Sequence, residues 1–342
     1  MSNNRKGKDA EMKRNRKKTI IIGIFAGIVG TILLAYCLLM FVIPACETVD
    51  QTAVEGSSDW MAALPDDLPL GEVVFPGTHD SASYAPQLAF FSKCQDLTIK
   101  EQLNAGFRFL DIRLAVSGDN MKLMHGFISC KTGMLPFAKN LYLDEVLNQC
   151  ANFLDEHPTE TVLFAVKQEH GDESADAFHN VLEGVFAKYA SYLLETDRIP
   201  TVGEARGKMI LLLRYDAKTS DGVPFLPFMW NETDYKINFD GDPYPAEYEN
   251  YTLWVQDRYK LDTEEKWETF TDVLNDVSAG PEDIYLNYLS TNGPPAFGHP
   301  YKYAKDLNGR LLTFDASLKG WVIVDFGTPS LAARIYKENF NG

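Results

Sequence analysis

Residues 19–43, TIIIGIFAGIVGTILLAYCLLMFVI, run without a single charge. At about 1.5 Å per helical residue, such a run exceeds the roughly 30 Å hydrocarbon core of a bilayer, so the pattern predicts one membrane-spanning helix. Past a polar, small-residue stretch the rhythm changes. Compact β-branched and apolar runs at 72–75, 107–114, 122–124, 161–167, 208–213, 253–256, 284–288 and 321–325 read as strands. Stretches with helical spacing at 143–156, 174–194, 263–277 and 330–340 read as helices between and after them. Strand–helix alternation argues for a parallel sheet, and eight strands favour a closed (β/α)8 TIM-like barrel of class α/β. The expected organisation is a basic tail (1–18), a transmembrane signal anchor (19–43), a tether (44–60) and one barrel domain (61–342).

Charge gives this organisation a direction. The first eighteen residues carry eight Lys or Arg against Asp9 and Glu11, a net of +6, so the remainder carries −22 of the overall −16. The basic run 13–18 stays cytoplasmic by the positive-inside bias, which places residue 47 onward across the membrane. A cleaved signal peptide usually has an apolar region of only ~7–15 residues. Pro44-Ala45-Cys46 matches a lipoprotein cleavage site poorly, and Cys46 lipidation or secretion stand as alternatives. So acidic a body excludes nucleic acid as a partner and broad adhesion to anionic lipid. Attraction for an anionic substrate must be local. The size suits one monomeric domain. Cys37 and Cys46 belong to the membrane region, and Cys94, Cys130 and Cys150 lack metal-ligand spacing. One disulfide with one thiol left over is expected, Cys94 with Cys130.

The active site of a barrel of this kind lies at the C-terminal strand ends. The first strand runs into Pro76-Gly77-Thr78-His79-Asp80-Ser81, and the next ones end at Asp111-Ile112-Arg113, His125-Gly126 and Lys167-Gln168-Glu169. Later strands end at Arg214, Asp257-Arg258-Tyr259 and Asp325. Ionisable groups thus collect at one mouth above apolar strand interiors. Imidazoles titrate near neutrality, so His79 and His125 suit opposed general base and acid roles. His157, His170, His179 and His299 lie at helix ends, on an exposed helix or in a Gly/Pro loop, and are assigned no chemistry.

Gly77-Thr78-His79-Asp80-Ser81 followed by Phe109-Leu110-Asp111-Ile112-Arg113 and His125-Gly126 resembles the bacterial phosphatidylinositol-specific phospholipase C (PI-PLC X-domain) family. Pro158-Thr159-Glu160-Thr161, Ala205-Arg206-Gly207-Lys208 and Val255-Gln256-Asp257-Arg258-Tyr259 add to the likeness, which covers about 68–340. The resemblance implies a distorted (β/α)8 barrel and a phosphatidylinositol lyase releasing diacylglycerol and inositol 1,2-cyclic phosphate. It implies His79 as base on the 2-hydroxyl, His125 as acid to the leaving oxygen, and Asp325 as the carboxylate orienting His79. Asp80 and Asp111 would stand near the phosphate. Arg113 would bind that phosphate where related eukaryotic enzymes carry calcium, so no metal or other cofactor is expected. Lys167, Glu169, Arg214 and Asp257 would contact inositol hydroxyls, and Tyr259 would pack on the ring.

Two other readings remain: an idle barrel that binds inositol headgroups or glycosyl-inositol anchors, and a glycerophosphodiester hydrolase needing a divalent metal. Arg113 and Lys167 disfavour the latter. The aromatic loop 223–230 either dips Phe225, Phe228 and Trp230 into the bilayer or packs over the barrel rim.

Overall fold

The computed structural model describes residues 2–135, 137–216, 223–230, 244–276, 280–294 and 298–340. Eleven strands form one sheet: β1 Phe75–Thr78, β2 Phe109–Ser117, β3 Asn120–His125, β4 Ile128–Ser129, β5 Thr161–Gln168, β6 Lys208–Leu213, β7 Leu226–Pro227, β8 Tyr244–Glu247, β9 Thr252–Gln256, β10 Asp283–Tyr288 and β11 Trp321–Val324. The order β7-β6-β5-β2-β1-β11-β10-β9 is parallel throughout, and β8 closes onto β9 antiparallel. The sheet curls into a distorted barrel. Among the described residues no ladder joins β7 to β8, and tyrosines span that seam instead. The Tyr248 hydroxyl accepts from Met229 N (2.6 Å) and donates to Met229 O (2.8 Å), and Tyr251 donates to the Pro227 carbonyl.

Seven of the eight predicted strand runs lie on or against the parallel set. The eighth, 122–124, is not a barrel strand: β3 runs antiparallel to β2 in a hairpin that carries the chain back to the mouth. The missing parallel strand is β7, two residues inside the aromatic loop. Pro227 removes one of its two amide donors, and with Pro224 just before it the segment shows no strand pattern. The first strand starts at Phe75, where the predicted one ended, because Glu72 and Val73 are taken up in turns onto Pro69 and Leu70. Helices Leu143–Glu156 and Thr263–Asp276 match their predictions within a residue. The predicted 174–194 helix stops at Phe186 and tightens into a 3₁₀ turn. Helix Pro300–Leu312, opened by proline at its first position, was not anticipated.

Side-chain alternation assigns each strand two jobs. Leu110, Ile112, Val162, Phe164, Val166, Leu211 and Leu213 pack outward, in one core with Leu147, Phe153, Phe178 and Leu182 of the helices. Their neighbours Phe109, Leu163, Ala165, Ile210, Leu212, Leu253, Val255 and Ile323 belong to the other core and fill the lumen. The lumen floor is aromatic: Trp321 meets Phe75, Phe109 and Phe228 at 5.6, 5.8 and 6.0 Å between ring centroids. A Cβ at Gly77 would stand 2.4 Å from Ile323 Cδ1 and 2.9 Å from Phe109, so only glycine lets β1 lie against this plug.

The predicted tether is partly structural. Ser57–Ala63 forms a 3₁₀ segment across the barrel bottom, with Trp60 stacked on Tyr336 and Met61 N bound to Glu160. Glu160 and Arg108 form a fully buried ion pair there, 2.7 Å apart. On the N-terminal side, helix Ser2–Cys37 continues through a π-turn (Leu38–Val42) and a last turn (Ile43–Cys46). Within it, Glu11–Cys46 is long and apolar enough to cross a membrane by length and composition.

Phe228 corrects the bilayer reading of the aromatic loop: it is fully buried against Trp321 and Phe109, and Trp230 leans inward onto Tyr288. Phe225 is half-buried, packed beside the outer core. Phe228→Ala is therefore expected to cost about 3–5 kcal/mol in denaturant unfolding. It should leave binding to phosphatidylinositol vesicles unchanged in a sedimentation assay.

Candidate active site

The lumen-facing rows continue past the apolar floor into polar residues. On β2 the row reads Phe109, Asp111, Arg113, and on β5 it reads Leu163, Ala165, Lys167, with Arg113 paired in register to Lys167. The same alternation brings up Arg214 after Leu212, Asp257 after Val255, Asp325 after Ile323 and His79 after Gly77. One parity rule makes both the plug and the mouth.

The Gly-Thr-His-Asp-Ser segment is fixed residue by residue. Thr78 donates its hydroxyl to Gln102 Oε1 (2.7 Å), and Ser81 Oγ accepts from Asp111 N (2.8 Å). His79 N joins the ladder to Val324 O, and the buried Gln95 amide donates to both His79 O and Val324 O (2.8 and 3.0 Å). Gln95 thus pins two strand ends side by side, which sets His79 Nδ1 against Asp325 Oδ1 at 2.8 Å. The same turn puts Asp80 Oδ2 2.5 Å from His125 Nδ1. Asp80 and Phe326, at φ 40° and 48°, are the non-glycine residues in left-handed conformation among those described. Each sits in or next to a histidine–carboxylate pair, where such strain is typically kept.

Arg113 ties the charges together. Its guanidinium donates to His79 Nε2 (2.8 Å), to Asp111 Oδ2 (3.0 Å) and to Glu169 Oε1 (3.4 Å). Asp111 takes a second arginine, Arg214, on Oδ1 at 2.9 Å. Burial opposes ionisation of Asp111, but Arg113 and Arg214 outweigh it and hold the carboxyl far below the usual range. Glu169 follows the same balance: burial against Arg113, Lys167 and the Gly126 amide brings it to about 2. For His79, burial disfavours the charged ring and Arg113 opposes it too, yet Asp325 prevails and raises the pKa above its ordinary value. With Arg113 donating into Nε2, the resting ring is the neutral tautomer whose Nδ1–H points to Asp325.

These groups surround a cavity of about 220 Å³. His79, Arg113, His125, Lys167, Glu169, Asp257, Tyr259 and Asp325 line it, as expected from the strand ends. Three predicted residues do not line it. Asp80 and Asp111 are buried beneath as partners of His125 and Arg113. Arg214, expected at an inositol hydroxyl, instead lies under Trp230 with its guanidinium 3.7 Å from the ring centroid. It supports Asp111 rather than facing the cavity. Phe91, Cys94, Ser290, Thr291, Asn292 and Pro300 also line the cavity and were missed. Ser290-Thr291-Asn292 follows β10 after one residue, Leu289, and a search for polar rather than ionisable strand ends finds it.

The expected Cys94–Cys130 disulfide is not formed, and all five cysteines are free thiols. Cys94 turns to the mouth, with Sγ 3.8 Å from His125 Nδ1, while Cys130 packs in the outer core. Burial pushes both thiols well up. His179 is not on an exposed face: it is buried and bonds the Tyr215 hydroxyl at 2.8 Å. Among the described residues, two donor sets lie close enough to share an ion: His79, Cys94 and Asp325, and Asp80, Cys94 and His125. The Arg113 guanidinium against His79 sets a fixed positive charge beside the first of these.

Residues 75–215 match the family described as Phosphatidylinositol-specific phospholipase C, X domain. The chain is 29% identical over 290 residues to a 1-phosphatidylinositol phosphodiesterase of Staphylococcus aureus (strain Newman), covering 78% of this chain and 88% of the relative. It is 27% identical over 302 residues to the enzyme of the same name from Listeria monocytogenes, covering 83% and 85%. The solved phosphatidylinositol-specific phospholipase C of Listeria monocytogenes superposes with a TM-score of 0.65 at 25% identity, over 82% of this chain and 98% of that one.

The raised pKa of His79 gives a pH signature. A ring that binds its proton more tightly when folded adds stability below its unfolded pKa of about 6.5, and this is lost as pH rises through the folded value. Asp325→Asn should lower the His79 titration midpoint seen by NMR. Its stability deficit against wild type should be largest below about pH 6 and shrink as pH rises.

Proposed function

We propose that this chain, a member of the phosphatidylinositol-specific phospholipase C X-domain family, cleaves phosphatidylinositol into diacylglycerol and inositol 1,2-cyclic phosphate without a metal. The observation that carries this reading is the pair of histidine–carboxylate couples, His79–Asp325 and His125–Asp80, on one cavity with Arg113. Binding of the phosphate draws Arg113 off His79 Nε2, and that nitrogen then takes the proton of the inositol 2-hydroxyl. The freed oxygen attacks the adjacent phosphorus, the bond to the glycerol oxygen breaks, and His125 gives that oxygen a proton from Nε2. Asp325 stabilises the imidazolium formed on His79, and Asp80 holds Nδ1 of His125 so that its mobile proton sits on the other nitrogen. Because the nucleophile belongs to the substrate, proximity comes without a second molecule.

Arg113 stabilises the charge that gathers on the phosphate oxygens, the role a cation would otherwise play. Lys167, Glu169 and Asp257 offer donors and acceptors to a polyol, and Tyr259 offers a face for its ring. The cavity is small beside the roughly 300 Å³ and more of drug-sized sites, which suits an inositol phosphate whose acyl chains stay outside. The helix Glu11–Cys46 is read as a single-pass anchor with the basic tail cytoplasmic and the barrel extracytoplasmic.

Incubation of the full chain with phosphatidylinositol vesicles, followed by phosphorus NMR, should show cyclic inositol phosphate with and without chelator. Replacing His79 or His125 by asparagine should lower the rate about 10²–10⁴-fold. Arg113→Ala should lower kcat about 10²–10³-fold with no rescue by calcium. Loss of activity on chelation that calcium restores would overturn the metal-free reading.

A further inference from the structure

The junction between the membrane helix and the barrel is not a free tether. The apolar helix is exposed along most of its length, but Met40 and Pro44 near its end are covered by the body. What covers them is the short helix Ala89–Ser92, whose Phe91 lines the active-site cavity. Lys93, itself buried, donates to Pro44 O at 3.1 Å and to Asp96 Oδ1 at 2.6 Å. The other Asp96 oxygen accepts from Val49 N at 3.0 Å. His299 closes the set: its ring stacks on Phe90 at 4.5 Å, Nδ1 bonds Phe90 O at 2.6 Å, and Nε2 bonds the Glu47 carboxylate. His299 directly precedes Pro300, another cavity residue. Three residues of the junction, Pro44, Glu47 and Val49, are therefore bonded to residues one or two positions from the cavity wall or beside it in the fold.

We propose that this junction is a latch that holds the cavity mouth against the bilayer its own helix crosses, so that the enzyme draws its lipid from that membrane. The inference rests on the reading of the helix as an anchor and of the substrate as an inositol phospholipid. A buried lysine donating to the last turn of an anchor makes sense only if that turn has one fixed position relative to the barrel. Reaching a second membrane would require the mouth to turn away, breaking the Lys93, Asp96 and His299 contacts together. Substrate in the same bilayer is instead met at the effective concentration that tethering provides. The −22 body has no charge-based means of adhering to anionic lipid, and a fixed junction makes such adhesion unnecessary.

The test uses the full chain, reconstituted in phosphatidylcholine vesicles, with Cys37 and Cys46 changed to serine and a nitroxide attached at Phe127→Cys, an exposed site two residues beyond His125. Collisions with membrane-dissolved oxygen should dominate over those with an aqueous nickel complex. Inserting ten Gly/Ser residues after position 46 together with Lys93→Ala, which removes the bond to Pro44 O, and Glu47→Ala should reverse that preference. Phosphatidylinositol placed in the same vesicles should be cleaved about 10²-fold faster than in separate vesicles. The release variant should cut this ratio about tenfold while turnover of a monomeric short-chain phosphatidylinositol stays within twofold. A nitroxide in bulk water in the unaltered chain, or a ratio that the release variant leaves unchanged, would overturn the latch. A nitroxide at the bilayer with no turnover of any phosphatidylinositol would support the latch and count against the lipase reading.

Discussion

Two arginines and several carboxylates are taken out of water at the top of the lumen, and the arrangement of the mouth follows from the need to pair them. Arg113 and Arg214 are largely withdrawn from water, and each would be costly alone. Asp111 sits between them at 3.0 and 2.9 Å, and Glu169 and Asp257 take the remaining sides. The pairing makes Arg113 the meeting point of β1, β2 and β5, since it touches His79, Asp111 and Glu169. A guanidinium with five donors in a rigid fork can join three groups in this way, and an ammonium could not hold the same geometry. The resting arrangement of the site is thus held by the same bonds that allow its charges to be buried.

Much of this was legible in the sequence because the parity of a strand is visible there. Alternation predicted an apolar strand with a polar end, and the strand-end residues Arg113, Lys167, Asp257 and Asp325 do meet at one cavity. What parity does not reveal is depth. Arg214 and Asp111 lie on the same rows as the cavity residues yet face each other below it, because a larger ring, Trp230, caps Arg214. The β3 hairpin and the two-residue β7 escaped for the opposite reason: their identity depends on which strand pairs with which, and 122–124 has as good a strand pattern as any barrel member.

The cysteine expectation failed through burial. Spacing and an extracytoplasmic address said nothing about direction, and Cys94 is turned to the mouth while Cys130 belongs to the outer core. Gln95 shows another limit. A glutamine next to a cysteine has no motif value, but its amide bonds the backbone of both strand ends that carry His79 and Asp325. Such positioning through main-chain contacts leaves no trace in residue type. His299 was set aside as a loop histidine for the same reason, since its partners Phe90 and Glu47 are more than two hundred residues away.

The two left-handed residues bear on how this sequence tolerates drift. Asp80 and Phe326 each occupy a conformation that glycine would adopt without strain. Chains under selection for stability alone would therefore be drawn toward glycine at both places. At Phe326 the change would keep Asp325 and forfeit packing against Tyr301. At Asp80 it would remove the only carboxylate bonded to His125 among the described residues. On the proposed mechanism, persistence of aspartate at position 80, against that pull, is the mark by which active descendants of this chain are told from barrels that have kept the fold and lost the acid.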